Sequence, residues 1–287
     1  MIKVETDAHS GFCGGVIRAI STAEKLLAEK GAPLYSLGAL VHNEEELHRL
    51  SGLGLESVGL GEAAMLPAGS RVIIRAHGEP PSTYAMLDAA GLETTDCTCP
   101  VVLRLQREVR MASQRSQVVI FGKIGHPEVA GLSGCAGDSA IVAETPGQIA
   151  SACSSGLIDT SRSTELFSQT TMDPEAYMLA AQALKGHMKA PVTVHDSICS
   201  QVASRQRQLG EFARSHDVVA FVAGSSSSNG KVLLELCRAA NPRTYAVCSE
   251  RDLQPGWFEG ARSAGVCGAT STPKWLLERV ARAIEYL

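Results

Sequence analysis

The first 31 residues, MIKVETDAHSGFCGGVIRAISTAEKLLAEKG, place Cys13 between a strand-like run and a helix-like run. The same layout surrounds Cys99 in GLETTDCTCPVVLRLQREVRMAS (residues 91–113) and Cys199 in PVTVHDSICSQVASRQRQLGEFA (residues 191–213). The three cysteines are 86 and 100 residues apart. A period of that length is typical of a repeated α/β unit, not of a short solenoid repeat. The sequence therefore predicts three similar α/β units, each opened by a cysteine.

Apolar residues recur at helical spacing behind each cysteine. Ile20 and Ala23 share one face behind the first cysteine, Leu105 and Val109 behind the second, and Leu209 continues a weaker pattern behind the third. Each cysteine is thus predicted at a helix N-terminus. Unpaired backbone N–H groups and the positive end of the helix dipole favour a thiolate over a thiol at that position.

Strand-like runs that end in polar residues follow each helix. In chain order these polar residues are His42 and His77, then His126, Glu128 and Thr170, then Ser227, Ser228, Asn229 and Ser271. Ligands of parallel α/β sheets bind beyond the carboxyl ends of the strands. Because the offsets from the three cysteines match, we predict that the cysteines and these polar residues meet at one centre.

The predicted architecture is α/β, with three similar lobes of mostly parallel sheet around a pseudo-threefold axis. The lobes would span residues 13–98, residues 99–198, and residues 199–287 with residues 1–12 as the closing strand of the third. At 287 residues the chain is long enough to bury a core in each.

Three convergent thiolates indicate a metal or iron–sulfur centre. Structural zinc sites often use paired Cys-x-x-Cys knuckles, which this chain lacks, since Cys97 and Cys99 form only Cys-Thr-Cys. A cubane of four irons held by three thiolates would leave one iron open for chemistry. Cys97 is an alternative to Cys99 as the ligand from this segment. We favour Cys99, because its position in the repeated unit matches the positions of Cys13 and Cys199.

The serine-rich segment GSSSSNGKV (residues 224–232) is similar to a P-loop, but it has five residues between its glycines and no hydroxyl residue after Lys231. These departures argue against a magnesium-dependent NTPase. Hydroxyl, amide and backbone N–H donors at a helix start can still hold a phosphate without a metal. The three histidines add donors for such an anion, and Glu128 is a candidate proton carrier.

Composition and net charge limit the classes of partner that the protein is expected to bind. A net charge of −4 and a pI near 6.1 give no electrostatic case for nucleic acid or a membrane surface. The longest apolar run is too short to cross a bilayer. Nine cysteines without small-scaffold spacing predict reduced thiols, not a disulfide framework, and we expect a cytoplasmic protein.

The chain resembles the LytB family of 4-hydroxy-3-methylbut-2-enyl diphosphate reductases, enzymes of the non-mevalonate isoprenoid pathway. The resemblance runs in family order from residue 11 to residue 273. The matching segments are GFCGGVIRAI, LVHNEEE, VIIRAHG, DCTCPVV, GHPEVAGL, SQTT, SICSQVASRQ, SSSSNGK and ATSTP.

The resemblance implies a function for each predicted site residue. Cys13, Cys99 and Cys199 would hold one [4Fe–4S] cluster with an open apical iron. The diphosphate pocket would comprise His42, His77, His126, Ser227, Ser228, Asn229 and Ser271. Glu128 would deliver protons, and Thr170 would bind the substrate and position its hydroxyl near Glu128. Thr170 and His126 would be the catalytic partners of Glu128. The implied reaction removes an allylic hydroxyl to give isopentenyl and dimethylallyl diphosphates, with electrons from ferredoxin or flavodoxin.

The chain departs from the family pattern at several positions. Cys97 replaces a usual alanine, Val202 stands where a threonine is common, and Gly230 follows the loop asparagine in place of a serine. None of these changes removes a predicted ligand or the proton carrier. The residues alone also leave two other classes of protein open. One is an iron–sulfur sensor without catalysis, and the other is a zinc hydrolase that acts on phosphorylated metabolites.

Overall fold

The computed structural model describes residues 2–29, 33–137 and 139–287. Strands and helices alternate along these residues. The strands are β1 (Lys3–Thr6), β2 (Leu34–Leu37), β3 (Leu55–Val58), β4 (Arg71–Ile74), β5 (Glu93–Asp96), β6 (Gln117–Phe121), β7 (Ile141–Ala143), β8 (Thr164–Ser168), β9 (Val192–Val194), β10 (Val218–Val222), β11 (Thr244–Val247) and β12 (Ser263–Gly268). The helices are α1 (Gly14–Ala28), α2 (Glu44–Gly52), α3 (Leu60–Ala63), α4 (Pro81–Ala89), α5 (Pro100–Ser113), α6 (Pro127–Cys135), α7 (Pro146–Ser154), α8 (Pro174–His187), α9 (Ser200–Arg214), α10 (Ser228–Ala240) and α11 (Lys274–Glu285). Short 3-10 helices cover Glu250–Asp252 and Pro255–Phe258.

The strands form three four-stranded sheets, in the orders β1-β12-β10-β11, β3-β2-β4-β5 and β7-β6-β8-β9. The recorded pairings are parallel. Every residue of β6, β8 and β10 is buried, as expected for strands covered by helices on both faces. The predicted α/β class with three similar parallel sheets is confirmed.

Two compact units make up the chain. The first comprises Met1–Gly31, Ala39–Ser57 and Ser200–Leu287, and the second comprises Ala32–Gly38 and Val58–Cys199. In the first unit, β1 pairs in parallel with β12, so a strand from the start of the chain completes a sheet built near its end. The boundaries of three lobes and their common axis remain predictions.

The helices predicted behind the cysteines are confirmed. Cys13 caps α1 and Cys99 caps α5, while Cys199 directly precedes α9. The predicted apolar faces are buried, including Ile20 of α1, Leu105 of α5 and Leu209 of α9. Pro100 occupies the first turn of α5, where its missing N–H costs no helical hydrogen bond. Local hydrophobic periodicity was sufficient to locate these helices.

The strands before the histidines are shorter than predicted. β2 ends at Leu37, because Gly38 adopts a left-handed backbone with φ +69°, and His42 follows only after a further turn. His77 lies three residues beyond the end of β4, and His126 lies five residues beyond the end of β6. These side chains therefore belong to loops at the carboxyl ends of strands, not to the strands themselves.

None of the nine cysteines forms a disulfide bond. Among the described residues, no helix is both long and apolar enough to span a membrane.

Candidate active site

Glu128 is a buried carboxyl group that is held in place by Thr170. It lies in the first turn of α6, and its side chain accepts two hydrogen bonds from Thr170, at 2.6 Å from the backbone N–H and 2.8 Å from the hydroxyl. Burial raises the pKa of Glu128 to about 7, although the two hydrogen bonds from Thr170 act to lower it. A carboxyl group with that pKa exchanges protons near neutral pH, as a general acid must.

The N-terminus of α6 also fixes the orientation of the His126 ring. Its Nδ1 accepts a hydrogen bond from the backbone N–H of Glu128 at 3.2 Å, so His126 caps α6. A ring nitrogen that accepts carries no proton, so the proton of the neutral ring lies on Nε2, which becomes a donor. His77 lies edge-on to His126, with 5.4 Å between ring centroids. Two imidazole groups thus lie side by side within the second unit, and one of them accepts the backbone N–H of the acid.

Each of the three predicted cluster ligands makes the same backbone hydrogen bond. Cys13 donates its N–H to the carbonyl of Thr270 at 3.1 Å, Cys99 to that of Ala76 at 3.0 Å, and Cys199 to that of Thr170 at 2.9 Å. Each acceptor lies two residues beyond the end of its strand, β12, β4 and β8 respectively. The repeat seen in the sequence therefore extends to the backbone hydrogen bonds that place the cysteines.

The exposure of the thiols separates these three cysteines from the others. Cys13, Cys99 and Cys199 are half-buried, five of the remaining cysteines are buried, and Cys248 is exposed. Cys97 is only 1% exposed, which favours Cys99 as the ligand of that segment. Three half-buried thiols at helix starts are a suitable donor set for a thiolate-bound iron–sulfur cluster.

The first unit contains a candidate anion site at the N-terminus of α10. The Ser227 hydroxyl accepts a hydrogen bond from the N–H of Gly230 at 3.0 Å, and its oxygen lies 3.1 Å from that of Ser271. Ser228 is the first residue of the helix. Unpaired N–H groups and hydroxyl donors gathered at a helix start favour a phosphate or diphosphate group.

Asn229 supplies an unsatisfied donor at this site. Its side-chain oxygen accepts from the backbone N–H of Thr270 at 3.3 Å and from the Thr270 hydroxyl at 3.0 Å. Its amide nitrogen is buried and has no hydrogen-bond partner among the described residues. A buried donor without a partner costs about 1–3 kcal/mol, so this nitrogen indicates a missing acceptor.

Glu44 anchors the serine loop (residues 224–228), and the sequence did not predict Glu44 as a site residue. Its carboxylate accepts from the backbone N–H of Ser225 at 3.1 Å and from the Ser225 hydroxyl at 2.6 Å. Gly224 leaves no room for a side chain, since a Cβ there would lie 2.4 Å from the carbonyl oxygen of His42. Glu44 and Gly224 thus hold the loop against the segment that carries His42.

The predicted site residues divide equally between the two units. The first unit contains Cys13, His42, Ser227, Ser228, Asn229 and Ser271. The second contains Cys99, Cys199, His77, His126, Glu128 and Thr170. Within each unit the structure shows the contacts described above, and the meeting of both sets at one centre remains a prediction.

The parallel sheets define an α/β protein, and its half-buried thiols at helix starts are suitable donors for a metal centre. A family model described as LytB protein matches residues 4–285, and the chain belongs to that family.

Similar proteins support this assignment over the full length of the chain. A protein from Phocaeicola vulgatus named 4-hydroxy-3-methylbut-2-enyl diphosphate reductase is 44% identical and covers 99% of both chains. One of the same name from Porphyromonas gingivalis is 45% identical, with 100% of both chains covered.

Two solved structures are also similar. A structure of (E)-4-hydroxy-3-methyl-but-2-enyl diphosphate reductase, described as the terminal enzyme of the non-mevalonate pathway, aligns with TM-score 0.74 at 32% identity and covers 100% of both chains. The corresponding reductase from Plasmodium falciparum aligns with TM-score 0.86 at 25% identity, covering 98% of this chain and 87% of its own.

Proposed function

We propose that this protein is a 4-hydroxy-3-methylbut-2-enyl diphosphate reductase that uses one [4Fe–4S] cluster. The reaction takes up two electrons and two protons, releases the allylic hydroxyl as water, and yields isopentenyl or dimethylallyl diphosphate. Family membership supports the substrate, because full-length relatives at 44–45% identity bear this name. The structural observation that carries the proposal is the buried Glu128 with its two hydrogen bonds from Thr170.

Cys13, Cys99 and Cys199 would hold the cluster. When bound, it would supply electrons and, at an iron without a protein ligand, Lewis acidity toward the substrate hydroxyl. The backbone hydrogen bonds from each cysteine to a strand-end carbonyl would hold the three sulfur atoms in fixed positions. Cys97, almost fully buried, would stay outside the ligand set.

Glu128 and Thr170 would deliver the proton to the leaving hydroxyl. With its pKa raised to about 7, Glu128 is substantially protonated at neutral pH. A protonated carboxyl can donate to the Thr170 hydroxyl oxygen, which frees the hydrogen of that hydroxyl for the substrate oxygen. Thr170 would thus orient the substrate hydroxyl and relay the proton. General acid catalysis of this kind is typically worth about 10²–10⁴ in rate.

The diphosphate would bind at the start of α10, with Ser227, Ser228, Asn229 and Ser271 as donors. His42, His77 and His126 would complete the pocket, and the Nε2 proton inferred for His126 would make that ring a donor to a phosphate oxygen. Binding the distant diphosphate orients the allylic end, so the binding free energy serves the chemical step. A sensor without a substrate would need no unsatisfied amide donor at this helix start.

The electrons would come from a small carrier protein, ferredoxin or flavodoxin. Because each such carrier typically delivers one electron at a time, two deliveries would be needed per turnover.

The test is anaerobic turnover of the cluster-loaded protein. Substrate and a chemical reductant should yield isopentenyl and dimethylallyl diphosphates, identified by mass spectrometry. The Glu128→Gln variant, loaded with the same cluster content, is the matched control and should form little product. An active Glu128→Gln variant would remove the assigned role, and a loaded parent protein that forms neither product would contradict the proposed function.

A further inference from the structure

The segment that leads to Cys199 runs beside its neighbouring strand end in regular steps. It begins at His195, whose backbone N–H donates to the carbonyl of Leu166 at 2.9 Å. It ends with the hydrogen bond from Cys199 to the carbonyl of Thr170. Five residues therefore run beside five, as in ordinary parallel pairing.

The segment that leads to Cys13 is longer than the strand end beside it. It begins at Asp7, whose backbone N–H donates to the carbonyl of Val266 at 2.8 Å, and it ends with the hydrogen bond from Cys13 to Thr270. Seven residues, from Asp7 to Cys13, therefore run beside five. Extra residues of this kind are left out of regular backbone pairing, so the course of the chain before Cys13 depends on other contacts.

The side chain of Ser10 makes such a contact in the middle of the segment. Its hydroxyl oxygen accepts the backbone N–H of Gly268 at 2.9 Å, and its hydroxyl donates to the Asp7 carboxylate at 2.7 Å. The backbone N–H of Ser10 also closes a turn by donating to the carbonyl of Asp7 at 3.0 Å. Ser10 thus attaches the longer segment to the residue that follows Cys267 at the end of β12.

Arg205 of α9 joins the two sides of this contact, although its side chain is only 6% exposed. Its Nη2 donates to the Ser10 hydroxyl oxygen at 3.0 Å and to the Gly268 carbonyl at 3.3 Å. The same nitrogen lies 3.5 Å from the Asp7 carboxylate. Among the described residues, Nε and Nη1 of Arg205 have no hydrogen-bond partner. Its hydrogen bonds are therefore confined to the segment before Cys13 and the strand end beside it.

Fold stability alone does not explain a buried arginine at this position. Removing a guanidinium and a carboxylate from water costs free energy that their attraction often fails to offset, and unsatisfied donors add to that cost. In the shorter segment before Cys199, the Ser197 hydroxyl accepts the backbone N–H of Ser168 at 2.6 Å, and no arginine of the described residues bonds to Ser197. The arginine thus accompanies only the segment whose backbone pairing is interrupted.

We propose that Arg205 is a positioning residue for Cys13: by holding Ser10 against Gly268, it fixes the course of residues 7–13 and so the place of the Cys13 sulfur. The inference rests on the proposed function, in which Cys13 is a cluster ligand. Groups that orient metal ligands typically contribute about 10–100-fold to metal affinity. Loss of the Arg205 contacts should therefore loosen Cys13 before the other two ligands.

Release of iron from the cluster-loaded protein tests this role. A ferrous chelator and iodoacetamide are added together under anaerobic conditions. The absorbance of the iron chelate gives the rate of release, and mass spectrometry identifies the thiols that are alkylated as the cluster is lost.

Four variants separate positioning from general damage. Arg205→Gln removes the contacts, and Asp7→Asn/Arg205→Gln does so without leaving the buried Asp7 carboxylate unpaired. Arg205→Lys keeps a cationic donor at the same place. Arg207→Gln makes the same neutral change at an exposed position of α9 and is the matched control.

Both variants with Gln at position 205 should release iron about tenfold or more faster than the parent. Cys13 should take a larger share of the early alkylation, relative to Cys99 and Cys199, than it does in the parent. Cys237 and Cys267, which are fully buried, should stay unmodified because the fold is intact. Arg205→Lys should fall between the parent and Arg205→Gln, since an ammonium group donates without the fixed geometry of a guanidinium. Arg207→Gln should match the parent.

Release at the parent rate in both variants with Gln at position 205, or an unchanged share of Cys13 in the early alkylation, would overturn the positioning role. An equal acceleration in Arg207→Gln would do the same. Alkylation of Cys237 and Cys267 together with the ligands would show general unfolding and likewise count against the proposal. A parent protein that binds no iron and sulfide would instead contradict the proposed function, so the two failures are distinguishable.

Discussion

Thr170 contacts Glu128 through both its backbone N–H and its hydroxyl, and its carbonyl oxygen accepts the N–H of Cys199. One residue therefore connects the proposed proton carrier with a proposed cluster ligand. The connection lies entirely within the second unit. The same short segment after β8 therefore positions both the proposed proton carrier and the proposed cluster ligand.

Replacing Glu128 with Gln should remove most turnover. The amide keeps the size of the carboxyl group and one oxygen to accept from Thr170, but it cannot transfer a proton at neutral pH. We expect turnover to fall by about 10²–10⁴ while substrate binding changes little. Steady-state kinetics and isothermal titration with substrate separate the two effects. A variant that turns over like the parent would exclude Glu128 as the general acid.

The pH dependence of kcat/KM should reveal the ionisation of the Glu128 carboxyl group. A general acid must be protonated to act, and burial raises the pKa of Glu128 to about 7. We therefore expect kcat/KM to fall as pH rises through about 7. The profile of the residual activity in Glu128→Gln should lack this alkaline decline. An identical decline in both proteins would assign it to another group.

Glu128 should also make stability depend on pH. Its folded-state pKa of about 7 lies above its ordinary value of 4.5, so the folded protein binds this proton more tightly than the unfolded chain. The resulting stabilisation is full below about pH 4.5 and is lost as pH rises to about 7. Between pH 5 and pH 8, the free energy of unfolding should fall by about 2–3 kcal/mol more in the parent than in Glu128→Gln. Urea unfolding of both cluster-loaded proteins measures this, and parallel pH dependences would refute the assigned pKa.

Asn229 should contribute to diphosphate affinity through its amide nitrogen. Asn229→Asp retains an oxygen for Thr270 but replaces the unsatisfied donor with a negative charge. Loss of a hydrogen bond to a charged group costs about 1.5–3 kcal/mol, so affinity for inorganic diphosphate should fall at least tenfold. Ser226→Ala, at an exposed position of the same loop, is the control. Equal affinities in the parent and Asn229→Asp would place the anion elsewhere.

Glu44 should keep the serine loop rigid, so its removal should make residues 224–228 more mobile. Glu44→Ala removes the acceptor of two hydrogen bonds from Ser225, each worth about 1 kcal/mol. Amide hydrogen exchange in residues 224–228 should rise several-fold, and the KM for substrate should rise with it. Glu62→Ala, which removes an equivalent backbone contact at Gly59, should leave that loop unchanged. Unaltered exchange in Glu44→Ala would show that the loop is held by other contacts.

The fold was more predictable from the sequence than the details of the site. Helices behind Cys13, Cys99 and Cys199 follow from apolar periodicity, which depends only on nearby residues. The end of β2 was misplaced, because the left-handed turn at Gly38 has no local signal beyond the glycine itself. The contact of Glu44 with Ser225 joins residues 181 positions apart, which a single sequence does not specify. The raised pKa of Glu128 likewise depends on burial by distant segments.

The central claim is that Cys13, Cys99 and Cys199 share one inorganic cluster, and metal analysis of the anaerobically purified protein tests it most directly. We expect about four iron and four acid-labile sulfide per chain. This content should be lost when any of the three cysteines is changed to Ser, and retained in Cys97→Ala. Zinc in place of iron and sulfide, or full iron and sulfide in Cys99→Ser, would contradict the claim.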